Sequence, residues 1–128
     1  MELKLRGMGT RQVTLDLIEK YPQKVVIKLD EVLKERGLSQ GDLHRLSGVR
    51  VASINDMVNA KKQSINVLHL VAIMCALRIT DIRELFDIEF DEEVKQAWEE
   101  EMKDYEGRGL TIKQKEELAE NVKRMYLY

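Results

Sequence analysis

Two glycines set the scale of what this chain can fold into. Gly37 and Gly48 each close a short run in which apolar residues recur three or four positions apart. Val25, Leu29, Val32 and Leu33 precede the first, Leu43 and Leu46 precede the second, and Ile54, Met57 and Val58 continue the rhythm beyond it. That spacing places side chains on one stripe of a helix, and a glycine just after the last apolar position stops it. Helices this short are marginal by themselves in water. They must share one core, so the sequence predicts an all-α fold of several short helices between Lys24 and Phe90.

The same signals place the individual helices. The first helix runs from Lys24 to Gly37. Ser39 reads as the N-cap of the second, with Asp42 three residues on in a capping-box arrangement. Arg50 to Asn59 forms the third. Ser64 is expected to cap a fourth, Ile65 to Leu77, which is apolar around most of its girth and is predicted to be the most buried. Thr80 is expected to cap a short fifth helix from Asp81 through Phe86. Ahead of this body, residues 1–23 form an extension. Leu3 and Leu5 alternate with charged neighbours as an extended arm would, and Thr10 then caps a helix carrying Val13, Leu17 and Tyr21. Pro22, the one proline, ends it, because a proline excludes the preceding residue from the α region.

Residues 91–128 have a different character. Asp91 to Glu106 is acidic, with a single stripe of Val94, Trp98, Met102 and Tyr105. Gly107-Arg108-Gly109 reads as a turn, and Thr111 with Gln114 as a second capping box. The last helix carries Leu118, Val122 and Met125 to about Tyr126. Two helices joined by a short turn make a helical hairpin, and a lone hairpin cannot cover both stripes. These seven stripe residues are therefore expected to pack back on the rest of the chain, or to pair with a second copy of it or with a protein partner.

Charge separates the same regions. Residues 1–88 carry 14 Lys and Arg against 11 Asp and Glu, a net +3, whereas residues 89–128 carry 7 against 12, a net −5. An acidic end repels a phosphate backbone, so only the first part suits a polyanion. The one cysteine, Cys75, permits no intramolecular disulfide and reads as a small buried hydrophobe. His44 and His69 fall on separate helices without zinc-ligand spacing, and no glycine-rich phosphate loop or nucleophile–base pair appears. The residues predict no cofactor, no metal and no enzyme. The apolar run from Leu70 to Leu77 is far short of the ~20 residues that span a bilayer, and the N-terminus lacks a secretory apolar stretch. A cytoplasmic protein with no membrane partner is expected.

Ser39-Gln40 with Leu43, then Gly48-Val49, then Ile54 and Met57, resembles the Cro/C1-type helix-turn-helix (XRE-like) family of transcriptional regulators. The resemblance continues through Lys61-Lys62 to Leu77 and Asp81-Ile82-Arg83-Glu84-Leu85-Phe86, and covers about half of the chain. It implies a five-helix domain whose third helix enters the DNA major groove. By that resemblance Gln40 meets a phosphate. Arg50, Val51, Ala52, Ser53 and Asp56 face the groove with Asn55 beside them, and Asn59, Lys61 and Lys62 follow as backbone contacts. Physical reasons for the spacing stand apart from the family. Gly48 permits a sharp turn with positive φ, and Leu43, Val49, Ile54 and Met57 lock two helices so that the second projects. Arg50 is suited to bidentate contact with guanine, Val51 and Ala52 to packing against thymine methyls, and Asp56 to accepting from cytosine. Two positions depart from the family pattern: His44 stands where a small residue is usual, which is expected to push the helices apart, and Ala60 where glycine is common. The expected function is a repressor binding a palindromic operator in double-stranded DNA as a homodimer. The alternative is an interaction module, of the antitoxin or phage-inhibitor kind, that keeps the fold and binds a protein.

Overall fold

The computed structural model describes residues 2–60 and 64–126. It divides the chain into two compact units, Val25–Glu89 and, from the two chain ends together, Met1–Lys24 with Phe90–Tyr128. Among the described residues the fold is mostly helical, with a single two-stranded sheet.

The middle unit is built on α2 (Leu29–Glu35), α3 (Gln40–Ser47), α4 (Val51–Val58) and α5 (Val67–Leu77). Leu29, Leu33, Leu43, Val49, Ile54, Leu70, Ile73, Leu77, Ile79, Leu85 and Phe86 form one buried cluster. α3 packs against both α4 and α5. The Arg36 guanidinium donates to the Leu77 carbonyl, tying the end of α2 to the end of α5. Gly37 takes φ +67°, as its place after α2 predicts.

Several local expectations fail here. The first helix does not begin at Lys24: Gln23–Ile27 is strand β1, because Val25, Val26 and Ile27 are β-branched and prefer extended backbone. Its partner is β2 (Phe86–Phe90). The predicted fifth helix is therefore only a 3-10 turn over Ile82–Glu84, capped by Asp81 and not by Thr80. The cap of α5 is Asn66, not Ser64; its side chain accepts from the His69 amide at 3.2 Å. α5 is also not buried all round. Leu70, Ile73 and Leu77 are buried, while Leu68 is 76% and Val67 69% exposed, and Cys75 is exposed too. One layer of neighbours covers one side of a helix, and α5 has only that. Leu46, assigned to the apolar face of α3, is exposed as well.

The other unit joins the two ends of the chain. α1 (Glu2–Lys20) is a single helix, so the first residues do not form an extended arm. An unpaired strand leaves its backbone groups without partners, and a helix satisfies them internally. α1 packs along α7 (Ile112–Tyr126). Arg124 donates to Asp16 at 2.5 Å, Lys20 pairs with Glu117 at 3.2 Å, and the Tyr21 hydroxyl donates to Glu117. α6 (Glu92–Met102) contributes Val94, which is buried, and Trp98, whose ring lies 5.0 Å from those of both Tyr21 and Phe90. The turn after α6 is closed by the Tyr105 hydroxyl on the Gly109 carbonyl at 2.8 Å. The expected capping box follows: the Gln114 backbone amide donates to the Thr111 hydroxyl at 3.1 Å, and the Thr111 backbone amide to the Gln114 side-chain Oε1 at 2.9 Å.

These pairs make the contact between α1 and α7 sensitive to acid. The hydrogen bond from Tyr21, with Lys20 nearby, holds the Glu117 carboxyl below its ordinary value, and Gln12 with Arg124 does the same for Asp16. A carboxyl depressed on folding stabilises the fold above its unfolded pKa, and that contribution is lost as pH falls through the folded value. Acidification below about pH 4 should therefore loosen α1 from α7. Trp98, the only tryptophan, sits against Tyr21 and reports the change in fluorescence. Glu117→Gln should flatten that acid transition; an unchanged transition in the variant would place its origin elsewhere.

Candidate nucleic-acid interface

The segment from Ser39 to Asn59 presents one short helix outward from a turn made rigid by local hydrogen bonds. Ser39 caps α3 through a complete capping box: its hydroxyl accepts from the Asp42 amide at 3.0 Å, and Asp42 accepts from the Ser39 amide at 2.9 Å. Those bonds and the Arg45 guanidinium at 2.6 Å hold the Asp42 carboxyl below its usual value, so it stays ionised. A negative charge there suits the helix dipole but opposes a phosphate, and Arg45 offsets it. Gln40, the first residue of α3, is half-buried.

Between α3 and α4 the chain turns at Gly48 with φ +78°, as its position predicts. Two side chains that sequence reasoning did not assign to the turn secure it. The Ser47 hydroxyl donates to the Leu43 carbonyl at 2.7 Å and accepts from the Val49 amide at 3.1 Å. His44 Nδ1 lies 2.8 Å from the Val49 carbonyl and donates to it. His44 is exposed and braces the turn; it does not act as a wedge between helices. The sequence signal was present in both, since a serine just before a turn glycine and a histidine five residues before a carbonyl are within reach of the turn.

α4 then shows two faces. Ile54 is fully buried, with Met57 and Val58 partly buried against the same core. On the other side Arg50, at the N-cap with extended backbone (φ −63°, ψ 143°), makes no capping bond with its side chain and is exposed. Val51 and Ala52 are exposed beside it, while Ser53, Asn55 and Asp56 are half-buried. Asn59 is exposed but engaged: its amide donates to the Asn55 carbonyl at 3.0 Å and to the Asn55 side chain at 2.9 Å. Lys61 and Lys62 lie outside the described residues. The residues expected to face a groove, Arg50 to Asp56, thus share one short helix and its N-cap, while Gln40 and Arg45 lie on α3.

Ala60 follows α4 with φ +51°, a left-handed conformation that costs a residue with a Cβ about 1–2 kcal/mol. Ala60→Gly should therefore raise stability by roughly 1 kcal/mol, less the extra freedom glycine gains when unfolded. Thermal and denaturant unfolding measure it, and a destabilised variant would refute the strain.

A projecting α-helix about 10–12 Å across matches a B-DNA major groove about 12 Å wide. Among the described residues no cluster of three or more His, Cys, Asp or Glu could hold a metal ion, and no helix is long and apolar enough to cross a membrane. The sequence model of the Cro/C1-type HTH DNA-binding domain matches residues 28–91. No curated protein and no solved structure matches the chain.

Proposed function

This chain belongs to the Cro/C1-type helix-turn-helix DNA-binding domain family, and on that footing we propose that it is a transcriptional repressor whose α4 enters the major groove of a palindromic operator. One observation carries the reading. α4 is pinned from inside by Ile54 while Arg50, Val51 and Ala52 remain open to solvent on its other side. Arg50 takes the O6 and N7 of a guanine, Val51 and Ala52 lie against thymine methyls, and Ser53, Asn55 and Asp56 flank them. Gln40 at the start of α3 meets a phosphate, where free backbone N–H groups favour an anion. Asn59, Lys61 and Lys62 follow along the backbone.

One such helix reads only a few base pairs, so the repressor acts as a homodimer on half-sites about 10 base pairs apart. The hairpin supplies the self-association surface. Met102, Leu118 and Val122 are exposed, and Tyr105 and Met125 half-buried. Val94 is buried and Trp98 is committed to Tyr21 and Phe90 within its own unit, so the surface is narrower than the full stripe.

Fluorescence anisotropy against the gene's own upstream DNA tests this. With roughly 4–6 phosphates contacted per dimer, log affinity should fall against log salt with a slope of about −4 to −5. Sequence-dependent binding of that kind supports the reading; equal binding to every duplex, or to none, defeats it. A second reading has its own observation. Residues 25–89 carry nine basic and nine acidic side chains, and two base-facing positions are Val and Ala. A protein-binding module of the antitoxin or inhibitor kind fits these facts, and stoichiometric capture of one protein with no DNA retention would favour it.

A further inference from the structure

Tyr21, Phe90 and Trp98 are half-buried, and together they line a cavity of about 570 Å³. Every residue lining it belongs to the unit made by the two chain ends. Cavities that take small organic ligands run from roughly 300 to 1,000 Å³, so this one has room for such a molecule. Leu17 and Ile18, both exposed, extend its apolar wall. The carboxylates of Glu101 and Glu117 also line it, and no Lys, Arg or His does.

Aromatic faces carry negative partial charge, so three rings beside two carboxylates favour a cation. The chain itself displays that preference. Lys20 Nζ sits 5.4 Å from the centre of the Tyr21 ring and 3.2 Å from Glu117. Lys20 is not among the residues lining the cavity, so it answers Glu117 without filling the space. Glu101 is left over. Its carboxylate accepts from the Thr111 hydroxyl at 2.8 Å and makes no ion pair among the described residues. A half-buried carboxylate against apolar walls gives up hydration and here gains no counter-charge; a bound cation supplies one.

We propose that this cavity binds a small organic cation with an apolar body. Glu101 and the aromatic faces take the charge, and Leu17 and Ile18 take the hydrocarbon. An anion would meet two carboxylates, and a bare ammonium or metal ion would leave the apolar wall wet. The site does not depend on α4 entering DNA.

The test uses the full chain without DNA and two probes of one shape and opposite charge, tetraphenylphosphonium and tetraphenylborate. Trp98, the only tryptophan, reports from the cavity wall, and calorimetry gives the stoichiometry. The phosphonium should bind saturably, one per chain, with a change in Trp98 fluorescence. The borate should bind at least about tenfold more weakly, since it faces like charge. Glu101→Gln keeps an oxygen for the Thr111 hydroxyl and removes the charge. It should weaken phosphonium binding by about fivefold or more and leave borate binding no weaker. Phe90→Leu keeps an apolar side chain without a ring face, and should weaken the phosphonium by about two- to fivefold. Circular dichroism confirms that each variant keeps its helices. Equal binding of the two probes, binding of neither, or phosphonium binding indifferent to Glu101→Gln overturns the proposal. Phosphonium binding that disappears as the chain self-associates overturns it too, because a second copy then fills the cavity.

Discussion

Ile54→Ala should cost the DNA-binding unit about 2–5 kcal/mol, the range for truncating a large aliphatic in a packed core. Ile54 has no exposed surface and is the one fully buried residue of α4. Its truncation opens a cavity beneath α4, in the buried cluster that also holds Leu43 and Val49. Small domains have only about 5–15 kcal/mol of stability in total, so the variant should be partly unfolded at physiological temperature and lose DNA binding with its fold. Denaturant unfolding followed by circular dichroism measures this, with a lowered midpoint at unchanged slope. Val51→Ala, one turn away and exposed, should change stability by less than about 0.5 kcal/mol. Equal effects at the two positions would mean that α4 is not anchored as described.

Arg50→Ala should leave the fold intact and reduce affinity by roughly 5- to 150-fold per half-site of the preferred operator, the equivalent of about 1–3 kcal/mol for each bidentate base contact. Arg50 is exposed and its side chain makes no capping bond to α4, so its removal touches no structural interaction of the cap. Arg50→Lys should recover little, because a lysine ammonium cannot present the two parallel donors that guanine accepts. Operator variants separate recognition from attraction. If Arg50 reads guanine, the mutant loses preference at one base pair of each half-site and keeps the wild-type salt slope. If affinity instead falls evenly for all sequences and the slope shrinks by about one per site, Arg50 meets a phosphate.

What the sequence made legible was chiefly local. The capping boxes at Ser39 and Thr111 and the turn at Gly48 depend on residues within four positions of each other, and all appear where the sequence places them. Ile54 was identifiable as core because a short helix beside a turn has only one side to bury. Failures came where the deciding partner is distant. Val25 to Ile27 extend because Phe86 to Phe90 lies alongside, roughly sixty residues later. The extension and the hairpin read as separate pieces, yet Arg124 reaches Asp16 and Tyr21 reaches Glu117, at separations of 108 and 96 residues. Periodicity carries no information about contacts of that span. α5 misled for another reason: an all-apolar helix is consistent with burial on every side or with one side kept for a contact outside the domain.

Because β1 leads into residues 25–89 and β2 leads out of them, the DNA reader is an insert anchored at both ends. A single proteolytic nick cannot shed it, and digestion should give a nicked protein before any free fragment. Removing everything after residue 90 would not isolate the reader cleanly, for it would also strip α1 of α7. An excised reader has to be cut twice, near Lys24 and near Phe90. The same anchoring makes residues 25–89 a cassette, exchangeable for another unit of matching end-to-end span without cutting into α1, α6 or α7.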